Sequence, residues 1–262
     1  MKLKSALLMS AVFASEITNG FAQENRTPAL FTPVQEERIG ELAADYMRAH
    51  PDILIQMSEK LQEQQQEKQT ASLKTAALAY ASIIQGNHSI PSYGPADATV
   101  MVAEFFDYQC IWCSRLAPEL EKVMKNNAHV RYYFMEWPVF GSRWSESLLA
   151  AKTGLQVWKE KGADAYLKYH NGIYATGLNE GKLTKDVINK VSEGARFESK
   201  TIDTINSTLE DINKIATDIG LTGTPGIIIM PVNGATEENT TVFSGMTEAE
   251  NLRQAINKAK GK

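Results

Sequence analysis

Val100-Met101-Val102-Ala103-Glu104-Phe105-Phe106-Asp107-Tyr108-Gln109-Cys110-Ile111-Trp112-Cys113 is the stretch on which the reading of this chain turns. Its first seven residues are apolar apart from Glu104 and read as a buried strand. Asp107-Tyr108-Gln109 is a short loop, and Ser114 to Lys125 has a helical pattern. The two cysteines, the only two of the chain, therefore fall at a strand-to-helix junction, with Cys110 at the helix N-terminus. Unpaired backbone N–H groups and the positive end of the helix dipole favour a thiolate there. The thiolate is the reactive form, so the spacing predicts a thiol–disulfide exchange pair in which Cys110 is the exposed nucleophile and Cys113 resolves the mixed disulfide. The Cys110 pKa is expected below that of a free thiol.

Other uses of the motif fit less well. Zinc needs four ligands, no second cysteine pair exists, and the four histidines are scattered without ligand spacing. A structural disulfide normally closes a longer loop. Two thiolates can hold a soft cation such as Cu(I), so a copper-binding protein stays as an alternative, as does a thiol-independent chaperone. No metal or other cofactor is expected.

Working towards the N-terminus, Lys2 and Lys4 precede a short apolar core, Ala6 to Ala14, and Gly20-Phe21-Ala22 supplies small residues for cleavage. Residues 1–22 thus read as a cleaved signal peptide, and a periplasmic location is expected. An exported chain whose cysteines form a single CxxC pair acts on the cysteines of other proteins rather than stapling its own fold. A net charge of −4 gives no footing for nucleic acid.

Residues 23–85 read as a helical region. Ile39, Leu42, Tyr46 and Met47 make one apolar stripe, His50-Pro51 interrupts it, and Ile53, Leu54, Met57 and Leu61 make a second. The run from Gln62 to Gln69 has no apolar face, and Leu73, Ala77, Leu78 and Tyr80 resume one. A polar spacer sets the first stripes away from the rest of the chain, which predicts self-association into a homodimer or homotrimer. Residues 86–95 read as a turn-rich linker.

Residues 96–262 carry the second domain. The strand–CxxC–helix segment and a strand at His129–Met135 form a right-handed βαβ unit. An all-helical insertion is expected at about 142–221 and ends at Gly220. Strands at Gly226–Val232 and Thr240–Ser244 follow, then a helix opened by a Thr247–Glu250 capping box. The order β-α-β, helices, β-β-α is that of an α/β chain with a thioredoxin fold and a helical insertion.

With Phe105 to Cys110, the central helices and Thr222-Gly223-Thr224-Pro225, the chain resembles the DsbA-like branch of the thioredoxin superfamily. Its N-terminal helices, with Tyr46 to Pro51, resemble the exported subgroup that carries an oligomerising extension, as the ScsC-type and DsbC-type isomerases do. The resemblance implies a protein disulfide oxidoreductase or isomerase whose substrates are cysteine-containing exported proteins and whose redox state is reset by a membrane partner. It implies that Pro225 is a cis-proline beside the active pair and that the Thr224 backbone, with Ile111 and Trp112, meets the substrate. It implies that Pro118 kinks the active-site helix and that Glu104 is a buried acid moving a proton to and from Cys113. Two departures stand out. Ile111-Trp112 supplies no histidine between the cysteines, and Met135 stands before Glu136-Trp137-Pro138 where a basic residue is common, which leaves the charge partner of Glu104 open.

Overall fold

The structure is a computed structural model that describes residues 30–195 and 199–261; the expected signal peptide lies outside them. Two compact units divide the chain between Lys60 and Leu61.

In the first unit, α1 spans Pro33–Ala49. Thr32 caps it reciprocally: its side chain accepts from Gln35 N–H while the Gln35 side chain accepts from Thr32 N–H at 2.9 Å. That satisfies two of the donors a helix start leaves open. His50-Pro51 ends α1, and α2 (Asp52–Gly86) begins directly after. No residue of α1 is buried: Ile39, Leu42 and Tyr46 are 47%, 52% and 59% exposed. In α2, Leu54, Ile55 and Met57 are exposed as well.

The second unit holds the remainder of α2 and a five-stranded sheet. Its strands are β1 (Ser92–Tyr93), β2 (Val100–Phe106), β3 (Val130–Glu136), β4 (Gly226–Pro231) and β5 (Thr241–Phe243), in the order β1-β3-β2-β4-β5. β2 is central, parallel to β3 and antiparallel to β4, and every one of its residues is buried. Burial on both faces is why its sequence is a continuous apolar run rather than an alternation. Val102 and Phe106 face one core, with α3 (Ile111–Lys125), α4 (Ser145–Ala175), α5 (Lys185–Val191) and α7 (Ala249–Ala259). Met101, Ala103 and Phe105 face the other, with α6 (Ser199–Ile219) and the end of α2. Leu73, Ala77 and Ile84 of α2 are at most 5% exposed in that second core. The compact unit therefore starts inside the stretch read from sequence as one helical region.

Three local readings are corrected. The turn-rich segment before β2 contains β1, a two-residue strand antiparallel to β3. The final helix is not opened by a capping box: Glu248 is its N-cap without a side-chain bond, Ala249 N–H points to Glu119 at 3.4 Å, and Thr247 accepts from Asn251 instead. The insertion is not helical throughout. α4 breaks at Gly162, whose φ of +77° excludes most side chains, and turns occupy the interval between Ala175 and Lys185. That second break lies against the loop before Cys110.

Candidate active site

The loop Asp107-Tyr108-Gln109 is tied down on every side. The Asp107 carboxylate accepts from Gln109 N–H (2.7 Å), Phe140 N–H (2.9 Å) and Ser147 Oγ (2.7 Å). The carbonyl of Asp107 accepts from Cys110 N–H and from the Tyr174 hydroxyl. Gln109 receives Glu180 N–H on its carbonyl and Gly181 N–H on its side chain, both from the break after α4. A buried loop must satisfy its backbone groups, and here the insertion supplies the partners. Cys110 is thereby placed as the N-cap of α3, and Cys113 lies within its first turn.

Both thiols are free. The Cys110 Sγ–H donates to the carbonyl of Thr224 at 3.3 Å, and the Thr224–Pro225 peptide bond is cis. The structure thus brings Cys110, Cys113, Thr224 and Pro225 together. The expectation of an exposed Cys110 is corrected, since it is 3% exposed and its sulfur faces the Thr224 carbonyl; Cys113 is wholly buried. Of the two residues between them, Ile111 is half-buried, and Trp112 is 50% exposed with the Arg115 guanidinium 4.7 Å above its ring. Pro118 lies inside α3.

The two thiols differ in acidity. The Cys110 pKa is lowered to about 6, chiefly by the hydrogen bond from the Cys113 thiol; burial opposes this, and the N–H groups of Cys113 and Trp112 add to it. The helix amides expected to dominate are thus a smaller cause than the neighbouring thiol. Burial first, then the hydrogen bond to Cys110, pushes Cys113 well above the usual thiol range. One group is set up as a nucleophilic thiolate and the other as a thiol that needs a base.

This difference has a pH signature. At Cys110, the folded reduced protein binds fewer protons than the unfolded chain between pH about 6 and the free-thiol value of about 8.5. The Cys110 contribution to stability should rise with pH across that window and be lost as pH falls through about 6, against the opposite slope that the buried Glu104 and Glu136 carboxyls contribute. Thiolate absorbance of the reduced protein should show a midpoint near 6. A midpoint at or above the free-thiol value would contradict this geometry.

Glu104 lies on the central strand and is 1% exposed. Burial raises its pKa to about 8, and neither carboxyl oxygen has a hydrogen-bond partner among the described residues. Met135 bears on it less than the sequence suggested. In the β2–β3 register Phe134 stands opposite Glu104, and Met135 belongs to the other core, so a basic side chain at 135 would start from the opposite face of the sheet.

The sequence reading passed over three groups on the Glu104 face. Glu136 is fully buried and accepts from the hydroxyls of Tyr108 (2.9 Å) and Tyr166 (2.8 Å). Burial raises its pKa well above the carboxylate range, although the two hydroxyls pull it down. Gly154 is needed beside it, because a Cβ there would come within 2.4 Å of Glu136 Oε1. Asp107 is the loop clamp described above. His170, 1% exposed, is enclosed by Phe106, Tyr108, Phe134, Tyr166 and Tyr174. A signal did exist for each: Glu136 and Asp107 are acids in or beside apolar strands, and His170 shares a helical stripe with Tyr166, Tyr169 and Tyr174. No group of three or more His, Cys, Asp or Glu side chains among the described residues forms a metal-ligating set.

Comparison with known proteins agrees with this architecture. Residues 86–257 match the thioredoxin family model, and residues 35–68, which contain no cysteine, match the model of the copper resistance protein ScsC N-terminal domain. The crystal structure of Salmonella enterica Typhimurium BcfH is 35% identical with a TM-score of 0.76, over 87% of this chain and 97% of that one. Proteus mirabilis ScsC in a transitional conformation superposes with a TM-score of 0.60 at 22% identity, over 88% of this chain and all of that one. Disulfide bond formation protein D of Bacillus subtilis is 26% identical over 198 residues, 68% of this chain and 82% of that protein. Since the thioredoxin match alone extends over more than half of the residues, and the sheet, the cis Thr224–Pro225 bond and the paired thiols fall where that fold puts them, the chain belongs to the thiol–disulfide oxidoreductases of the thioredoxin superfamily.

Proposed function

We propose that this protein is exported to the periplasm, assembles as a homodimer or homotrimer through its N-terminal helices, and both forms and isomerises disulfides in exported proteins. The observation that carries the reading is the contact of Cys110 Sγ with the carbonyl of Thr224 at a cis peptide bond, 3.3 Å long, in a thiol whose pKa lies near 6. In the oxidised form, a substrate thiolate attacks Cys110 and breaks the Cys110–Cys113 bond. A second substrate thiolate then displaces Cys110, and the protein keeps the two electrons as its dithiol. In the reduced form, the Cys110 thiolate attacks a mispaired substrate disulfide. Another substrate thiolate then attacks the mixed disulfide, forming a new substrate disulfide and freeing the Cys110 thiolate, or Cys113 attacks it, releasing the substrate reduced and leaving the Cys110–Cys113 disulfide.

In this reading, Thr224 offers its backbone to an extended substrate strand, and Pro225, Ile111 and Trp112 border that strand. Glu104 takes the proton of Cys113 when Cys113 must attack, a role suited to a buried carboxyl that titrates near 8. A membrane redox partner resets the pair. The oligomerising surface is the exposed face of α1 and of α2 up to Lys60, and Leu61–Lys262 hold the redox domain, with the end of α2 and β1 inside it.

Two assays on the full mature chain test the proposal: reduction of insulin by the protein with a dithiol donor, and recovery of a scrambled multi-disulfide substrate. Activity in both is expected, with loss of both when the two cysteines become serine. A double-serine protein that still assists refolding would make it a chaperone. A wild-type protein inactive in both that binds Cu(I) through the two thiols would make it a metal carrier.

A further inference from the structure

Two buried polar groups face each other in the core behind Cys113, and hydrogen bonding within the described structure explains neither. Glu104 has two carboxyl oxygens without a partner, and His170 has an unpartnered Nδ1. Each residue is 1% exposed. His170 Nε2 lies 3.9 Å from Glu104 Oε2, about 1 Å beyond a hydrogen bond. Leaving such groups unpaired in a core is costly, so a buried pair aimed at one another needs a reason. The terminal torsion of the carboxyl is soft, so its oxygens can shift without leaving a preferred rotamer.

The pair is not a salt bridge. Burial lowers the His170 pKa to about 3 and raises that of Glu104 to about 8, so between these values both are neutral. A neutral imidazole is what a proton-exchanging carboxyl can use. With its hydrogen on Nε2 it donates to the carboxylate, and with Nε2 bare it accepts from the carboxylic acid. The ring is already oriented: its centroid is 4.7 Å from Phe106, 4.9 Å from Phe134 and 5.0 Å from Tyr174. The other titratable groups on this face among the described residues are Cys110 and Cys113 at the start of α3, Tyr93 of β1, Tyr132 and Glu136 of β3, Asp107 and Tyr108 of the loop, and Tyr166, Tyr169 and Tyr174 of α4, none of them a cation. His170, with Nε2 3.9 Å from the carboxyl, is thus a neutral neighbour able to favour an ionised Glu104 without bringing in a buried charge.

We propose that His170 is a positioning residue for the redox reaction: its Nε2 holds the Glu104 carboxyl as that group exchanges a proton with Cys113 during resolution of the mixed disulfide. The step is balanced within the site. Cys113–SH gives its proton to the Glu104 carboxylate, the resulting thiolate attacks Cys110 Sγ, the Cys110–substrate bond breaks, and the substrate leaves as a thiolate. The inference rests on the reading of Glu104 as the proton acceptor.

The test uses the full-length reduced protein and a fluorogenic disulfide peptide in single turnover from pH 5 to 10, beside carboxyl-carbon NMR titration of Glu104. Glu104→Gln should slow release of the peptide thiol about 10²-fold. His170→Phe, which keeps an aromatic ring among aromatic neighbours, should raise the Glu104 midpoint by about one pH unit and carry the rising limb of the rate profile with it. His170→Gln, which keeps an N–H donor, should return both towards wild type, and adding His170→Phe to Glu104→Gln should change nothing further. Should His170→Phe not fold, His170→Met carries the same comparison. An unshifted profile and midpoint in the His170 variant, no recovery with glutamine, or an additive double variant overturns the proposal alone. A Glu104→Gln protein with an unchanged profile overturns the Glu104 reading and this inference together.

Discussion

Cys110→Ser should abolish turnover in both redox assays, a loss of about 10³-fold or more, while Cys113→Ser should stop at a stable covalent adduct. The two sulfurs are neighbours in one turn, yet their environments separate their roles. Cys110 receives the Cys113 thiol hydrogen bond and has its pKa lowered to about 6, whereas Cys113 is wholly buried and held protonated. Serine at 110 removes the only thiol facing Thr224. Serine at 113 leaves that thiol in place, although its hydroxyl donates to Cys110 in a different geometry and the Cys110 pKa should change. The adduct is read by mass spectrometry of non-reduced protein after exposure to a disulfide peptide, with the added mass equal to one peptide arm. Adducts accumulating on Cys110→Ser and not on Cys113→Ser would reverse the assignment.

Removal of residues 1–60 should give a soluble monomer that still reduces insulin but corrects scrambled disulfides about 10²-fold less well. The cut follows from burial. Leu73, Ala77 and Ile84 are core residues of the second unit, so a deletion through residue 84 would strip the sheet of one packed face and unfold what it was meant to isolate. Cutting before Leu61 removes the exposed Ile39, Leu42, Tyr46 and Met57 and leaves that core intact. Correction of a mispaired chain needs repeated attack while the substrate stays bound, and effective concentration falls when several sites no longer share one particle. Light scattering of both forms beside the two assays decides the matter. A monomeric full-length protein would end the idea, as would a truncated form with undiminished correction.

Most of the scaffold was legible along the chain. β2 shows as a continuous apolar run because both of its faces are buried, and α3 shows because its apolar residues recur with the helical period. The break between α1 and α2 shows in His50-Pro51, where proline restricts the residue before it. Less visible was β1: two residues carry no period, and Ser92-Tyr93 pairs with β3 only once the chain has crossed to that edge. The Thr247 box was a sound pattern, but the helix starts one residue later with Glu248 as its N-cap, Glu119, remote in sequence, stands against Ala249 N–H, and Thr247 accepts from Asn251 instead.

The site divides in the same way. The sequence by itself determined the thiol pair, its place at a helix start and the acid on the entering strand, because these depend on spacing within one strand–helix junction; Pro225, more than a hundred residues further on, was tied to the pair only by resemblance to a known family. Only the tertiary structure decided that Cys110 is covered by the Thr224 carbonyl, that its acidity comes first from Cys113, that Met135 belongs to the far face, and that His170 stands against Glu104. Each of these depends on residues that meet through packing. Packing sets burial, burial sets the cost of charge, and the cost of charge decides which groups are acids, bases or neutral partners. That cost is a property of the enclosed volume, which no short window of sequence contains.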